Sequence, residues 1–213
     1  MWTAIAAFTA AAALLVIAPG PDTLLVLRNT IRRGRRAGFA TAAGTITGLL
    51  VWGAAAALGL AALLRASRVG FTIVRAVGAT YLIFLGLTMI LARAHDRVER
   101  PDPEPTVVDS APSGGVGASY LTGVATNLFN PKVGVFFISF LPVFVPRGAP
   151  VGPTSALFGA IFVLEGILWL TTLVLVGGRL AALLTRRSVR PRIERVAGLF
   201  MIGFGVRLAT SRR

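Results

Sequence analysis

Trp2-Thr-Ala-Ile-Ala-Ala-Phe-Thr-Ala-Ala-Ala-Ala-Leu-Leu-Val-Ile-Ala-Pro-Gly-Pro21 decides the fold of this chain. The run is long and apolar enough to cross a bilayer, which takes about 20 such residues, yet prolines interrupt its end. No Lys or Arg precedes Arg28. A cleaved signal peptide would open with a basic region, so the stretch is expected to be a retained first helix.

The rest of the chain repeats that character. Hydrophobic residues make up 55% of 213 positions and charged residues 14%, with a mean hydropathy of +0.77. Soluble domains carry about 25% charged residues, so too few polar residues remain to coat a soluble core, and membrane lipid is the expected solvent. Six apolar segments qualify as transmembrane helices, at 4–27, 38–63, 70–92, 118–145, 153–178 and 194–210. The fold class expected is therefore all-α and polytopic. There are no cysteines, which excludes thiol redox chemistry and thiolate metal sites.

The net charge of +14 invites a nucleic-acid interpretation. The arginines sit in short loops between apolar blocks, however, where they orient a membrane protein, and no nucleic-acid partner is expected. Fourteen basic residues fall in the first, third and fifth loops, and seven on the other side. Basic residues favour the cytoplasmic face, so both termini are expected outside the cytoplasmic (inner) membrane.

Between the third and fourth segments, residues 93–117 carry Asp96, Glu99, Asp102, Glu104 and Asp109 among Pro101, Pro103, Pro105 and Pro112. Charge and proline together oppose a packed core. The stretch is expected to be a flexible cytoplasmic linker between a first three-helix repeat, 1–92, and a second, 118–213. Three helices per half invert the second half relative to the first. Weak internal likeness agrees: Gly78-Ala-Thr-Tyr-Leu-Ile-Phe-Leu-Gly86 parallels Ala197-Gly-Leu-Phe-Met-Ile-Gly-Phe-Gly205. The first helix of each half is also interrupted, by Pro19-Gly-Pro21 in one and Asn130-Pro131 in the other. Matching broken helices in an inverted repeat point to a transporter's binding site near the midplane.

Three ionisable residues lie well inside the spans: Asp22, Lys132 and Glu165. Each costs about 2.5–3.5 kcal/mol at a helix centre on insertion scales, so intramembrane charges are candidates for function. Lys132 is the sole lysine among 22 basic residues, a compact point charge where every other base is a guanidinium. It is expected either to attract a substrate carboxylate or to form a structural pair with Asp22 or Glu165. Asn127 and Asn130 flank it with uncharged hydrogen-bonding groups. Asp22 suits a substrate ammonium, and Glu165, with Asp22, is a candidate for proton coupling. Gly44, Gly48 and Gly53 read as close-packing positions, and Trp2, Trp52 and Trp169 as interface anchors or packing groups. No metal cage and no nucleophile–base pair is apparent, so neither an enzyme nor a cofactor is expected.

Ala18-Pro-Gly-Pro-Asp22 followed by Thr-Leu-Leu-Val, the loop ending Gly34-Arg-Arg-Ala-Gly38, and Asn127-Leu-Phe-Asn-Pro-Lys132 resemble the LysE/RhtB amino-acid exporters. The Gly78 segment and Phe140-Leu-Pro-Val-Phe-Val145 fit the same family, and the likeness covers the chain apart from the linker. It implies proton-driven export of amino acids or their derivatives, with Pro19, Gly20, Pro21, Asp22, Asn130, Pro131 and Lys132 at the family's motif positions. One departure is Trp52, which stands where many members carry histidine. The alternatives are a divalent-cation exporter on the same scaffold, with Asp22 and Glu165 as hard oxygen ligands, or a membrane scaffold that transports nothing. The exported compound and any homo-oligomer are left open.

Overall fold

A computed structural model of the chain describes residues 1–18, 20–66, 68–91, 115–146, 148–184 and 190–210. Pro19 and residues 92–114, which hold the acidic and proline-rich part of the expected linker, lie outside them. Every regular element among the described residues is helical. In chain order these are α1 (Trp2–Ile17), α2 (Pro21–Arg33), α3 (Arg35–Ala66), α4 (Arg68–Leu91), α5 (Val116–Leu128), α6 (Pro131–Val135), α7 (Val151–Leu184) and α8 (Arg190–Thr210).

The breaks follow from local chemistry. Ala18 leaves α1 with an extended backbone, Gly20 is extended as well, and Pro21 opens α2 in its first turn. Proline suits that position, because an amide there has no helical partner to lose. The two helices meet at 51°. In the second half, Asn130 is extended, its side chain accepts from the Lys132 amide, and Pro131 opens α6. The helical run continues through a π-helical turn, Phe136–Phe140, and a 3₁₀ turn, Leu141–Phe144. Its angle to α5 is 50°. Gly34, at φ +83°, turns α2 into α3, and Gly177, at φ +36°, kinks α7. Both are left-handed conformations that glycine adopts without a Cβ clash.

Two stretches are each long and apolar enough to cross a membrane by themselves: Arg35–Gly59 within α3 and Val151–Gly177 within α7. Counting each bent pair as one span brings the number to four among the described residues. Leu50 and Leu58 on α3, Leu164 and Leu168 on α7, and Phe84 and Leu199 on α4 and α8 are exposed. An outer surface of this kind is solvated by hydrocarbon, and the chain is a multi-pass membrane protein.

Inside, glycines bring backbones together. Gly44 abuts the Tyr120 carbonyl and Gly123 the Thr41 carbonyl, so α3 and α5 pack without side chains between them. The two stretches that match in sequence pack on one another through α4 and α8. A Cβ on Gly86 would lie 2.5 Å from the Gly198 carbonyl and 2.7 Å from Ile202, while one on Gly205 would lie 2.9 Å from the Ala79 carbonyl and 2.6 Å from Ile83. Matched positions thus exchange roles across the contact. The largest core cluster is aromatic: Phe8 stacks on Phe158 at 4.6 Å, and Phe136 lies 4.3 Å from Phe162. Phe136, Phe137 and Phe140, one face of the π-helical turn, are all buried in it.

Candidate functional site

The two bends face each other across a cavity of about 60 Å³, room for about four to six waters at the 10–15 Å³ that each requires. Ala18, Gly20, Asp22 and Thr23 line it from the first bend, and Asn127, Asn130 and Lys132 from the second. Thr45 and Leu49 come from α3, and Phe162, Gly166, Trp169 and Leu170 from α7.

Asp22 is the second residue of α2, where unpaired amides and the helix dipole favour a negative charge. Its Oδ2 accepts from Asn130 Nδ2 at 2.8 Å and from Asn127 Nδ2 at 3.1 Å. Both asparagines are buried, one in the last turn of α5 and one at the start of α6. Asn130 serves two masters, since its Oδ1 accepts from the Lys132 amide at 3.0 Å. A single side chain thereby caps α6 and holds the aspartate of the other bend.

Lys132 occupies the matching second position of α6 and also reaches across. Its Nζ donates to the Leu15 carbonyl at 2.9 Å and to the Ala18 carbonyl at 3.0 Å. Leu15 would pair in a continuous helix with the amide of residue 19, a proline that has none. The lysine thus takes the Leu15 carbonyl that Pro19 leaves unpaired, together with that of Ala18. The lysine passes Gly20 at ordinary contact distance, since a Cβ there would stand 3.7 Å from Nζ.

Each charge is therefore held by the opposite half of the chain. Asp22 and Lys132 attract one another through space, but their hydrogen bonds go elsewhere. Asp22 Oδ1, Asn127 Oδ1, Thr45 Oγ1 and Trp169 Nε1 are buried without a partner, and all four residues line the cavity. An ionised carboxylate with one satisfied and one vacant oxygen is an acceptor for a cation or a donor group. The remaining lining, from Leu15, Val16, Leu49, Val133, Phe162 and Leu170, is apolar.

Of the residues singled out from sequence, Gly20, Asp22, Asn127, Asn130 and Lys132 come together around this cavity. Pro21 and Pro131 open the helices beneath them, and Pro19 lies outside the described residues. Glu165 is not among the lining residues. Both of its carboxyl oxygens are buried without a hydrogen-bond partner among the described residues, so it does not pair with Lys132. Among the described residues no three His, Cys, Asp or Glu side chains are placed to hold a metal ion. Sequence reasoning missed Thr45, Phe162, Gly166 and Leu170, and read Trp169 only as an interface anchor or packing group. Helical spacing was the available signal, since 162, 166, 169 and 170 recur at three- and four-residue steps on one face.

The chain is similar over most of its length to known membrane proteins. A leucine efflux protein of Salmonella typhimurium is 31% identical over 98% of the chain and 94% of its own length. An uncharacterized membrane protein of Pseudomonas aeruginosa is 34% identical over 92% of the chain and 90% of its own. Another from Bacillus subtilis is 28% identical over 96% and 98% respectively. No solved structure matches. A family model described as LysE type translocator matches residues 13–212, and the chain belongs to that family.

Proposed function

We propose that this protein exports amino acids with neutral, apolar side chains from the cytoplasm across the inner membrane, by alternating access and coupled to protons. The observation that carries the proposal is the pair of opposite charges, Asp22 and Lys132, held apart on one cavity by the two bends. A site that is neutral overall but charged at both ends complements a zwitterion. The ammonium of the substrate meets Asp22 and its carboxylate meets Lys132. The apolar lining suits an aliphatic side chain, whereas a basic or acidic one would add a charge with no counter-ion there. The relative named for leucine efflux supports the same class. Asp22 alone among the candidate hard ligands lines the cavity, which disfavours a divalent-cation cargo.

Two inverted three-helix repeats frame the site in this proposal, giving six spans with both termini outside. The reciprocal packing of Gly86 and Gly205 and the near-equal bends of 51° and 50° support the repeat. Glu165 is the proposed proton carrier, a carboxyl one residue from the lining residue Gly166 and without a fixed partner. Asp22 is its alternative.

The test is export of labelled leucine, lysine, glutamate and calcium from proteoliposomes, with and without an imposed pH gradient. Gradient-stimulated leucine export, with slow flux of the other three, is expected. Calcium flux without leucine flux would replace the proposal with cation export, and no flux at all would favour a scaffold.

A further inference from the structure

Lys132 commits two of its three ammonium hydrogens to backbone carbonyls at the end of α1, at 2.9 and 3.0 Å, rather than to the carboxylate that shares its cavity. Those carbonyls need it. Leu15 has lost its helical partner to Pro19, and Ala18 turns its carbonyl out of the helix at ψ 120°. In a lipid-embedded protein an unsatisfied carbonyl is costly enough that irregular backbone persists only where something else supplies the bond. The lysine stem crosses from the second half of the chain to the first, so this bond pair ties the two bends together. Asp22, meanwhile, is satisfied on Oδ2 by two asparagines and has Oδ1 unpartnered.

The two ends of a substrate therefore meet different situations. An ammonium finds a vacant carboxylate oxygen and displaces nothing. A carboxylate finds one ammonium hydrogen free on Lys132, and a second, bidentate bond must be taken from Leu15 or Ala18; it is the stronger acceptor because the bond becomes charge-assisted at both ends. We propose that Lys132 is a latch across the bend of the first helix, and that the substrate's carboxylate releases it. Drawing Nζ away leaves the Leu15 and Ala18 carbonyls to find new partners, which changes the α1–α2 bend. A ligand shifts a conformational equilibrium only by its differential affinity for the two states. The carboxylate supplies that difference and the ammonium supplies anchorage. An amine without a carboxylate is then a ligand that is not cargo.

This inference rests on the amino-acid reading, and the test separates the two. Binding to the purified protein is measured for leucine and for 3-methylbutylamine, which is leucine without its carboxylate. Amide hydrogen exchange across residues 14–24 is followed in the same samples. The amine is expected to bind about ten- to a hundredfold more weakly than leucine, since it forgoes roughly one charge-assisted bond, and to leave exchange unchanged, while leucine accelerates it. Lys132→Met, which keeps the stem and removes the donors, is expected to show the accelerated exchange with no ligand present. Lys132→Arg supplies a second variant should methionine impair folding, its planar fork being unable to replace the two-carbonyl geometry. Equal acceleration by amine and leucine, no acceleration by leucine, or failure of the amine to bind where leucine does would each overturn the latch. If neither compound binds, the amino-acid reading fails. The latch is then judged by the ligand-free variants alone, and wild-type exchange in both would refute it.

Discussion

Gly48→Ala is a small change whose consequence is calculable. A Cβ at this position would stand 2.5 Å from Asn127 Oδ1, 2.8 Å from its Cβ and 2.9 Å from its Cγ. Rotating the asparagine clears the oxygen but not the Cβ, which is fixed to the α5 backbone. Relieving that contact to an ordinary 3.4 Å moves the residues apart by roughly 0.6 Å. A shift of that size along the Asn127–Asp22 bond takes it from 3.1 Å to about 3.7 Å, beyond hydrogen-bonding range. Bonds to a charged group contribute about 1.5–3 kcal/mol. The loss reaches affinity through Asp22, which must be returned to its ammonium-binding position when ligand binds; because Asn130 keeps its 2.8 Å bond to the same oxygen, the lower end applies, and about 1.4 kcal/mol is tenfold in affinity.

Leucine binding to Gly48→Ala is accordingly expected to weaken by about tenfold, with a further stability loss of about 1–3 kcal/mol from overpacking. Gly53→Ala on the same helix is the control, since its nearest neighbour would be 3.6 Å away. Titration calorimetry and thermal unfolding of both variants read the two effects. In an Asn127→Gly background, which removes all three opposing atoms, the added alanine should no longer weaken binding. Equal behaviour of the two alanine variants, or an undiminished effect of Gly48→Ala in that background, would refute the packing argument.

Glu165→Gln is expected to leave leucine binding intact and remove the dependence of export on a pH gradient, because glutamine keeps the size but carries no proton. Initial export rates against imposed gradients decide this, and unchanged dependence would move the proton site to Asp22. For topology, the absence of native cysteines makes single-cysteine labelling direct. An impermeant thiol reagent added outside intact cells should modify Ser211→Cys and spare Ser113→Cys, and the reverse pattern would invert the orientation.

Much of this site was legible before any coordinates. Pro19-Gly-Pro21-Asp22 and Asn130-Pro131-Lys132 stand out because proline chemistry is local and charges are rare in apolar segments. What was not legible is who holds whom. Asn127 and Asp22 are separated by 105 positions, and no periodicity within a helix reports a contact between halves. Lys132 was expected to pair with a carboxylate or to wait for a substrate, because composition displays side chains and conceals backbone acceptors. Glu165 looked equivalent to the other two charges by depth, yet only the packing of α7 decides that Gly166 and Trp169 line the cavity while Glu165 does not. The π-helical turn at Phe136–Phe140 was invisible for a related reason. A continuous helix and one with an inserted residue share the same apolar composition, and Phe136, Phe137 and Phe140 fall on one face of either.

The two bends are alike in angle but not in chemistry, and the difference assigns the charges. In the first, Pro19 and Pro21 remove two amides, so the end of α1 keeps bare carbonyls that welcome a cation. In the second, Phe129 stands in place of the first proline. Its amide donates to the Ala125 carbonyl at 3.0 Å, and the Asn130 amide donates to the Asn127 carbonyl at 3.1 Å. The end of α5 therefore has fewer carbonyls to offer, and no cation reaches it from α2. Asp22 sits instead at the N-terminus of α2, where the dipole favours an anion. Exchanging the charges, with Asp22→Lys and Lys132→Asp together, preserves the net charge and the separation of the two positions. It is nonetheless expected to leave leucine binding weaker by about a hundredfold or more, the consequence of a buried charge without its partners. A lysine at 22 would face the positive end of α2 and find the α5 carbonyls occupied, while the Leu15 and Ala18 carbonyls would lose their donor. Binding isotherms of the single and double variants measure this directly. Recovery in the double variant to within tenfold of wild type would mean that the two bends are electrostatically interchangeable, and that the prolines set only the shape of the first.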